Sequence, residues 1–325
     1  MFGSLVEGDD IYTIRRILLM KIAVFYYSQT GQALKAAHCI FSSISSNGID
    51  SIIYKAIDPI QYYPFPWASY EFFDTFPETR MGFPPSGIKE IDFSDVKDAD
   101  VVAIVGQSWF LSPSLPLQSF FADSQVRNYL YGRDVIFVNV CRNMWLMTIR
   151  WLKNYFQEIG AQLIGHIVLQ DKEPNLVSAA TVIRWLMYGK KESEGYLPNA
   201  GISEKDLKEA KRFGIVIKDA IDKGEQKLLQ ERLLNIGAIN YKPSIMHIEQ
   251  IGHRIFGYWA NYIRKKGGFR DECRATRVKM FYYYLVFVLF LVSPIVQLFF
   301  YATYPFQKVK KKKISDCSVN NNVIN

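Results

Sequence analysis

The sequence has few of the residues that build metal sites and disulfide frameworks. Its 325 residues include 4 Cys and 4 His. The cysteines are widely spaced and form no C-x-x-C pair; they are Cys39, Cys141, Cys273 and Cys317. This scarcity argues against a structural zinc site or a disulfide-stapled fold and favours a reducing compartment. We therefore predict no metal site.

The N-terminus lacks the basic start and the uninterrupted apolar core of a secretory signal peptide. Glu7, Asp9 and Asp10 stand where basic residues would be expected, and Lys21 interrupts the apolar stretch. A strand-like run begins directly after Met20. We expect residues 1–19 to be an extension, with Met20 as the natural or ancestral start.

The positive charge of the chain is confined to one region. The formal net charge is +8, yet residues 264–313 hold 12 Lys and Arg against two acids. The rest of the chain holds 27 Lys and Arg against 29 acids and is nearly neutral. Since no aromatic–basic module accompanies the charge, the sequence predicts no nucleic-acid partner.

Residues 280–306 contain no charged side chain. The run exceeds the roughly 20 apolar residues that cross a bilayer, and tyrosines stand at both ends, so we predict a transmembrane helix. Pro294 leaves a re-entrant segment open, although half of the run is too short to cross. Cationic clusters flank the run, and the last part, 307–325, is a basic and polar tail. We expect single-pass attachment to the inner membrane with the catalytic domain in the cytoplasm.

Residues 20–172 alternate between continuous apolar runs and segments of helical period. The apolar runs, at 21–27, 51–57, 100–105, 134–140 and 163–169, predict five parallel strands. Helices are predicted at 32–46 and 146–159. The pattern is typical of a doubly wound α/β domain with helices on both faces of the sheet.

Two further regions depart from this pattern. Residues 58–90 are too rich in Pro and aromatics for a regular element, so we expect an insertion packed over the rim of the domain. Residues 173–279 predict an all-helical extension. Within it, one helix runs from 203 to about 223 and a basic amphipathic segment covers 245–266.

The loop after the first strand is suited to a phosphate group. It combines hydroxyls, a small residue and the free amides of a helix N-terminus, in the run Tyr27-Ser28-Gln29-Thr30-Gly31-Gln32. The later glycines of a dinucleotide fingerprint and the Gly-Lys-Ser/Thr of a triphosphate loop are missing. A monophosphate is therefore the expected ligand, and an ordinary N-capped helix is the alternative.

Two more loops follow the third and fourth strands. They read Gly106-Gln107-Ser108-Trp109-Phe110-Leu111-Ser112-Pro113 and Cys141-Arg142-Asn143-Met144-Trp145. Ligands of doubly wound sheets gather at the carboxyl ends of strands near the switch point, so these loops are expected to meet the first one. Plain rim packing of Trp109 and Trp145 is the competing interpretation.

The first loop resembles the phosphate loop of flavodoxin-like FMN proteins, S/T-x-T-G-x-T. Ser28, Thr30 and Gly31 match, whereas Gln32 replaces the common Asn and Ala33 replaces the final Thr. The resemblance implies a flavodoxin-like fold with bound FMN, in which Trp109 or Phe110 stacks on the flavin. It assigns these residues to the cofactor: Ser28, Gln29, Thr30, Gly31, Gln32, Ala33, Ser108, Trp109, Phe110, Leu111, Asn143, Met144 and Trp145.

A finer resemblance involves residues 26–32, 63–67 with 76–78, and 197–203. These stretches are similar to bacterial dialkylresorcinol condensing enzymes, which implies work in aryl-polyene or flexirubin-type pigment pathways. A condensing ketosynthase needs an activated Cys with His partners, and this arrangement is not recognisable here. Oxidation of a dialkylcyclohexanedione to the resorcinol is the step that a flavin fold suggests.

The resulting hypothesis is a membrane-attached FMN oxidoreductase with a lipophilic small-molecule substrate. Arg142 is the candidate cation for enolate charge, and the aromatic insertion would line an alkyl-chain pocket. The base stays unnamed, with the tyrosines and His166 as candidates. Two alternatives are an NAD(P)H:quinone reductase and a membrane scaffold that has lost FMN. A homodimer is left open.

Overall fold

The computed structural model describes residues 20–44 and 51–303. The predicted N-terminal extension, 1–19, and the predicted basic tail, 307–325, lie outside the described residues, as do the last three residues of the apolar run.

A six-stranded sheet forms the centre of the protein. Its strands are β1 (Lys21–Tyr26), β2 (Ser51–Ala56), β3 (Val101–Trp109), β4 (Ser112–Pro113), β5 (Asp134–Cys141) and β6 (Gln162–Gln170). The five long strands are parallel in the order β2-β1-β3-β5-β6, and β4 adds a two-residue antiparallel pairing to β3. This is the flavodoxin-like order with its switch point between β1 and β3, which confirms the predicted doubly wound fold.

The sheet is buried on both faces, which explains the continuous apolar runs. Along β1, Ala23 and Phe25 belong to the core on one face, whereas Ile22 and Val24 belong to the core on the other. All four are fully buried. Hence the strands read as unbroken apolar segments rather than as alternating ones.

Thirteen α-helices are described along the same residues. Those up to the end of the sheet are α1 (Gln32–Phe41), α2 (Ser69–Asp74), α3 (Phe76–Met81), α4 (Leu115–Ala122), α5 (Ser124–Leu130) and α6 (Leu146–Ile159). Those after β6 are α7 (Asn175–Tyr188), α8 (Glu204–Glu209), α9 (Lys211–Asp222), α10 (Leu229–Asn235), α11 (Pro243–Arg264), α12 (Ala275–Phe287) and α13 (Ser293–Thr303).

Two predicted helices have different bounds in the structure. The helix predicted at 32–46 ends at Phe41, because the hydroxyls of Ser42 and Ser43 bond to the carbonyls of His38 and Ile40 and compete with the helical pattern. The helix predicted from 203 to about 223 is two helices, α8 and α9, which join at Ala210.

The insertion at 58–90 contains regular structure, contrary to the sequence-based expectation. It holds the short helices α2 and α3. Pro77 lies in the first turn of α3, where its missing N–H breaks no helical bond, and Gly82 ends the helix in the left-handed conformation. The proline content of the insertion therefore did not exclude helices, because a helix tolerates proline in its first turn, where Pro77 lies.

The helical extension shares its cores with the sheet. Leu207, Phe213, Leu229 and Leu233 belong to the same buried cluster as α1 and one face of the sheet. Helices α11 and α12 instead pack on the insertion, through the cluster Phe73, Phe76, Phe256, Ala260, Ile263, Val278 and Phe281. Parts of the extension thereby lie beside the carboxyl ends of the strands.

The apolar run is one long helix through its described residues. A π-helical turn at Val288–Val292 joins α12 to α13, so the chain continues past Pro294 without a break. The segment Glu272–Val296 is long and apolar enough to cross a membrane. One candidate span of this kind is compatible with membrane attachment.

Candidate functional site

A cavity of about 290 Å³ lies at the carboxyl ends of β1, β3 and β5. The sheet side is lined by Gln29, Thr30, Gln32, Gln107, Ser108, Trp109, Phe110, Leu111, Val140, Cys141, Arg142 and Met144. The opposite side is lined by Phe72, Phe73, Ala179, Val182, Ile183, Trp185, Leu186, Gly201, Phe256, Leu285 and Leu289. All three loops singled out in the sequence therefore reach one cavity.

The β1–α1 loop leaves backbone amides free at the start of α1. Gly31 is the N-cap in a left-handed conformation, with φ of 81°, and no atom lies within 4 Å of where its Cβ would be. The Ser28 Oγ accepts a hydrogen bond from the Leu34 amide at 3.1 Å. The amides of Gly31, Gln32 and Ala33 have no partner inside the helix, and free amides at a helix N-terminus would serve as a short anion cradle.

The Gln32 side chain has a different role from the one that the resemblance assigns to it. Its Nε2 donates to the Ile202 carbonyl at 2.9 Å, and its Oε1 accepts from the Ile202 amide at 3.2 Å. Both polar ends are thus committed to the helical extension. In the same loop, Gln29 donates to the Pro64 carbonyl. The two amide side chains fix the loop, whereas the Thr30 hydroxyl makes no such bond among the described residues.

The turn between β3 and β4 has an unusual backbone. Ser108 pairs with Pro113 and Trp109 with Ser112, which leaves Phe110 and Leu111 as the two central residues. Their φ values are 47° and 65°, a region that favours Gly or Asn and costs about 1–3 kcal/mol for other residues. The strained turn points both side chains into the cavity wall.

Aromatic rings surround this turn. Phe110 stacks on Phe72 with centroids 4.7 Å apart, and Trp109 meets Tyr27, Tyr63 and Trp67 edge-on. Trp109 is buried. The Trp109 indole and the Phe110 phenyl both line the cavity, and each already packs against other aromatic rings, as the rim-packing interpretation expects.

Arg142 lies at the end of β5 and is held in place by α7. Its Nη1 donates to the backbone carbonyl and to the Oδ1 of Asn175, at 2.9 and 2.8 Å. Asn143 donates to the same Oδ1 at 2.8 Å. Burial lowers the pKa of Arg142 to about 10, an effect that nearby Asp171 opposes. The guanidinium of Arg142 therefore stays cationic at neutral pH, and its hydrogen bonds to Asn175 fix its position.

Five predicted cofactor residues do not line the cavity: Ser28, Gly31, Ala33, Asn143 and Trp145. Trp145 is fully buried and packs against His166, with centroids 5.6 Å apart. The backbone amides of Trp145 and Met147 donate to the buried carboxylate of Glu249 on α11. Burial raises the pKa of Glu249 to about 7, although these hydrogen bonds pull it down.

The cavity offers no evident general base. Of the described residues that line it, Cys141 and Arg142 alone titrate, and burial raises the pKa of the Cys141 thiol. His166 lies in the buried interior, where desolvation lowers its pKa to about 3. Burial also raises the pKa of Tyr27 far above its ordinary value. None of these groups is poised to take a proton near neutral pH.

The apolar helix closes the far side of the cavity. Leu285 and Leu289 line it, and Ser293 accepts a hydrogen bond from Asn175 Nδ2 at 3.3 Å. Phe281 stacks on Phe76 with centroids 3.7 Å apart. The opposite face of the helix is an exposed apolar stripe: Met280, Tyr283, Phe287, Phe290, Leu291, Ile295, Leu298 and Phe299.

On the helical side, the sequence predicted that the aromatic insertion would line a pocket, and Phe72 and Phe73 of the insertion do line this cavity; the contribution of the helical extension was missed. Asn175, Trp185 and Gly201 lie in the extension, and no local motif distinguishes them. Their role depends on contacts with residues far away in the chain, such as that of Gly201 with Gln32. The one available signal was the apolar run itself, which indicated a membrane rather than a cavity wall.

Comparisons with known proteins bear on the fold. No family model matches the sequence, and no curated protein does. An archaeal flavodoxin matches the structure with 15% identity and a TM-score of 0.35, over 62% of this chain and 99% of the flavodoxin. A flavoprotein in complex with FMN from Lactobacillus acidophilus NCFM has 19% identity and a TM-score of 0.35, over 46% of this chain and 93% of its own.

An azoreductase from Bacillus anthracis str. Sterne also matches, with 12% identity and a TM-score of 0.32, over 59% of this chain and 99% of its own. Likenesses this low carry no functional argument. The flavodoxin-like assignment rests on the strand order of the chain itself.

Proposed function

We propose that the protein is a membrane-attached, FMN-dependent oxidoreductase that acts on a lipophilic cyclic ketone. The observation that carries this proposal is the cavity at the switch point of the sheet, where the β1–α1, β3–β4 and β5–α6 loops meet an apolar helical wall. Doubly wound sheets bind ligands at this place.

The residues at the cavity fit FMN in most respects. The amides of Gly31, Gln32 and Ala33 and the hydroxyl of Thr30 would hold one phosphate. Ala33 supplies no hydroxyl and the Gln32 side chain is committed elsewhere, so the cradle is smaller than the family pattern implies. Trp109 and Phe110 would border the flavin ring. FMN would supply a two-electron acceptor that takes a hydride from carbon.

The substrate class follows from the chemistry of the wall. Apolar side chains dominate the helical side, which suits an alkylated ring better than a charged metabolite. Aromatising a dialkylcyclohexanedione to a dialkylresorcinol removes one hydride and one proton from the ring. Arg142 would stabilise the enolate charge, and the acidic proton between two carbonyls would pass to water, because the lining contains no poised base.

Membrane attachment would bring the cavity close to a lipophilic substrate dissolved in the bilayer. The exposed apolar stripe of α12 and α13 would contact lipid while the opposite face lines the cavity. We place the catalytic domain on the cytoplasmic side of the inner membrane, from the cationic residues beside the helix and the free cysteines. A complete crossing by 280–306 stays a prediction.

A quinone reductase is the second candidate, because the same aromatic lining suits any flat apolar ring. It differs in needing NAD(P)H as the electron donor, whereas the dione itself donates electrons in the first candidate. A scaffold without catalysis is the third, supported by the missing hydroxyl at Ala33.

One anaerobic experiment separates the three candidates. Full-length protein in detergent, loaded with FMN and gel-filtered, is expected to keep the flavin absorbance. Bleaching of that absorbance by a dialkylcyclohexanedione without NADPH supports the first candidate, and Arg142→Gln should slow it more than Arg142→Lys. Bleaching only by NADPH, reversed by a quinone, supports the second. Protein that retains no flavin contradicts both and leaves the scaffold.

A further inference from the structure

A second cavity, of about 470 Å³, lies between α3, α6 and α11. The β3–β4 turn separates it from the first cavity, since Leu111 lines the first and Ser112 lines the second. Its lining is polar, with Thr79, Asn154 and Gln250 among the contributing side chains. Nothing in the function proposed above uses this cavity.

Three arginines converge on this second cavity. They are Arg80 from α3, Arg150 from α6 and Arg254 from α11. Within residues 20–44 and 51–303, none of them forms an ion pair, and no carboxylate lines the cavity. Glu249, one turn before His253, accepts hydrogen bonds from the amides at the start of α6 and interacts electrostatically with Arg150 without forming an ion pair with it. The three cations therefore outnumber the nearby carboxyl and repel one another, and an anion in the cavity would relieve that repulsion.

Arg80 is fixed in a defined orientation. Its Nε and Nη2 donate to the His253 carbonyl at 3.0 and 2.9 Å, and its Nη2 lies 3.2 Å from the His253 Nδ1. Its Nη1 is not part of these bonds. Burial and the charges of Arg80 and Arg150 lower the pKa of His253 to about 4, so the imidazole is neutral at physiological pH.

We propose that this arginine cavity binds the phosphate or pyrophosphate group of a ligand. Guanidinium forks match the oxygens of a tetrahedral phosphate, and a group of two or more charges matches three converging cations better than a carboxylate does. The neutral amides and hydroxyls around the arginines add donors. The phosphate is carried by a soluble molecule such as a nucleotide, or by the headgroup of a phospholipid beside the membrane helix.

The test uses full-length protein in detergent and inorganic pyrophosphate as the probe, measured by calorimetry. Saturable binding is expected for the unmodified protein. The double variant Arg150→Gln and Arg254→Gln changes exposed side chains and should weaken binding at least about tenfold. The double variant Lys211→Gln and Arg212→Gln removes the same charge on α9 and should leave binding unchanged. Circular dichroism checks that all three proteins are folded.

Vesicles distinguish the two sources of the phosphate. If the ligand is a lipid headgroup, the Arg150/Arg254 variant also binds less to phosphatidylglycerol-containing vesicles than the unmodified protein does. If the ligand is soluble, the Arg150/Arg254 variant and the unmodified protein bind the vesicles equally. In that case NADPH or another nucleotide competes with pyrophosphate. Absence of saturable pyrophosphate binding, or equal affinity in both double variants, overturns the proposal. Because FMN is not part of the assay, its outcome is independent of the proposed oxidoreductase function.

Discussion

The two sides of the candidate flavin cavity are encoded in different ways. The sheet side consists of loops that directly follow buried strands, so each is marked by a local change from apolar to polar sequence. The helical side draws on distant parts of the chain: the insertion, the extension and the apolar run. It includes Phe72 and Phe73, then Trp185, Gly201 and Phe256, and finally Leu285 and Leu289. Local sequence signals therefore indicate the sheet side of the site and give little information about the helical side.

The two sides also differ chemically. The sheet side supplies backbone amides, hydroxyls and the cation of Arg142, which suit a phosphate and a polar ring edge. The helical side supplies almost entirely apolar surface. In the proposed function, the sheet side determines cofactor binding and the helical side determines substrate choice, so variants on the two sides should separate these effects.

The largest expected effect concerns the buried ion cluster that attaches the helical side. Arg274 is fully buried and donates to Asp74 at 2.7 Å and to Glu78 at 2.8 and 3.0 Å. Arg274→Met leaves buried carboxylates without this partner and should lower the free energy of unfolding by about 3–5 kcal/mol. Denaturant titration in detergent measures the loss, and limited proteolysis near residue 270 should become faster.

The control for this variant is Arg127→Met. Arg127 pairs with Glu158 at 2.8 Å on the surface of the sheet domain, with both side chains well exposed. Its loss should change the free energy of unfolding by no more than about 1 kcal/mol. Equal effects of the two variants would mean that the buried cluster does not attach the helical side.

The next effect is a pH dependence that originates at Glu249. The folded protein keeps this carboxyl protonated up to a pKa of about 7, whereas an unfolded chain releases the proton near 4.5. The folded state binds more protons between these values, so stability falls as pH rises from about 4.5 to 7, by about 3 kcal/mol. Glu249→Gln should abolish this fall, measured by unfolding at several pH values.

His166 and His253 act in the opposite direction. Their folded pKa values, about 3 and about 4, lie below the ordinary 6.5, so they raise stability as pH rises from about 4 to 6.5. Both remain in the Glu249→Gln variant, so the difference between the two pH curves isolates Glu249. If the difference in unfolding free energy between the two proteins does not change with pH, Glu249 is not the source of the pH dependence.

The smallest effect tests the junction of the two sides. Gly201 has φ of 80°, and a Cβ there would lie 2.7 Å from Gln32 Oε1 and 2.9 Å from Trp185 Cζ3. Gly201→Ala should cost about 1–3 kcal/mol of stability and weaken FMN binding. Gly132→Ala is the matched control, because Gly132 has φ of 71° with no atom within 4 Å. It should share the backbone strain and leave FMN binding unchanged.

Much of the sheet was predictable because its signals are local. The buried runs located all five parallel strands, and α6 has the predicted bounds of 146–159. Helix α1 ended early because serine hydroxyls competed for backbone carbonyls, and α2 and α3 formed despite the prolines. These errors arose where the local environment, rather than composition, decided the structure.

The candidate site was predictable on its sheet side and, through the aromatic insertion with Phe72 and Phe73, on a small part of its helical side. The loops after β1, β3 and β5 followed from strand ends and the switch-point rule. The commitment of Gln32 to Ile202 and the tether from Arg142 through Asn175 to Ser293 join residues more than 30 positions apart. No spacing within one segment encodes such contacts, so they required the structure.

The most direct test of the account is an FMN titration followed by quenching of flavin fluorescence. The unmodified protein is expected to bind about one FMN per chain. Thr30→Val removes one hydroxyl from the cradle and should weaken binding about tenfold, whereas Thr276→Val, on the exposed side of α12, should not. An unmodified protein that shows no saturable FMN binding, or a Thr30→Val variant that binds as tightly, would contradict a flavin site at this edge of the sheet.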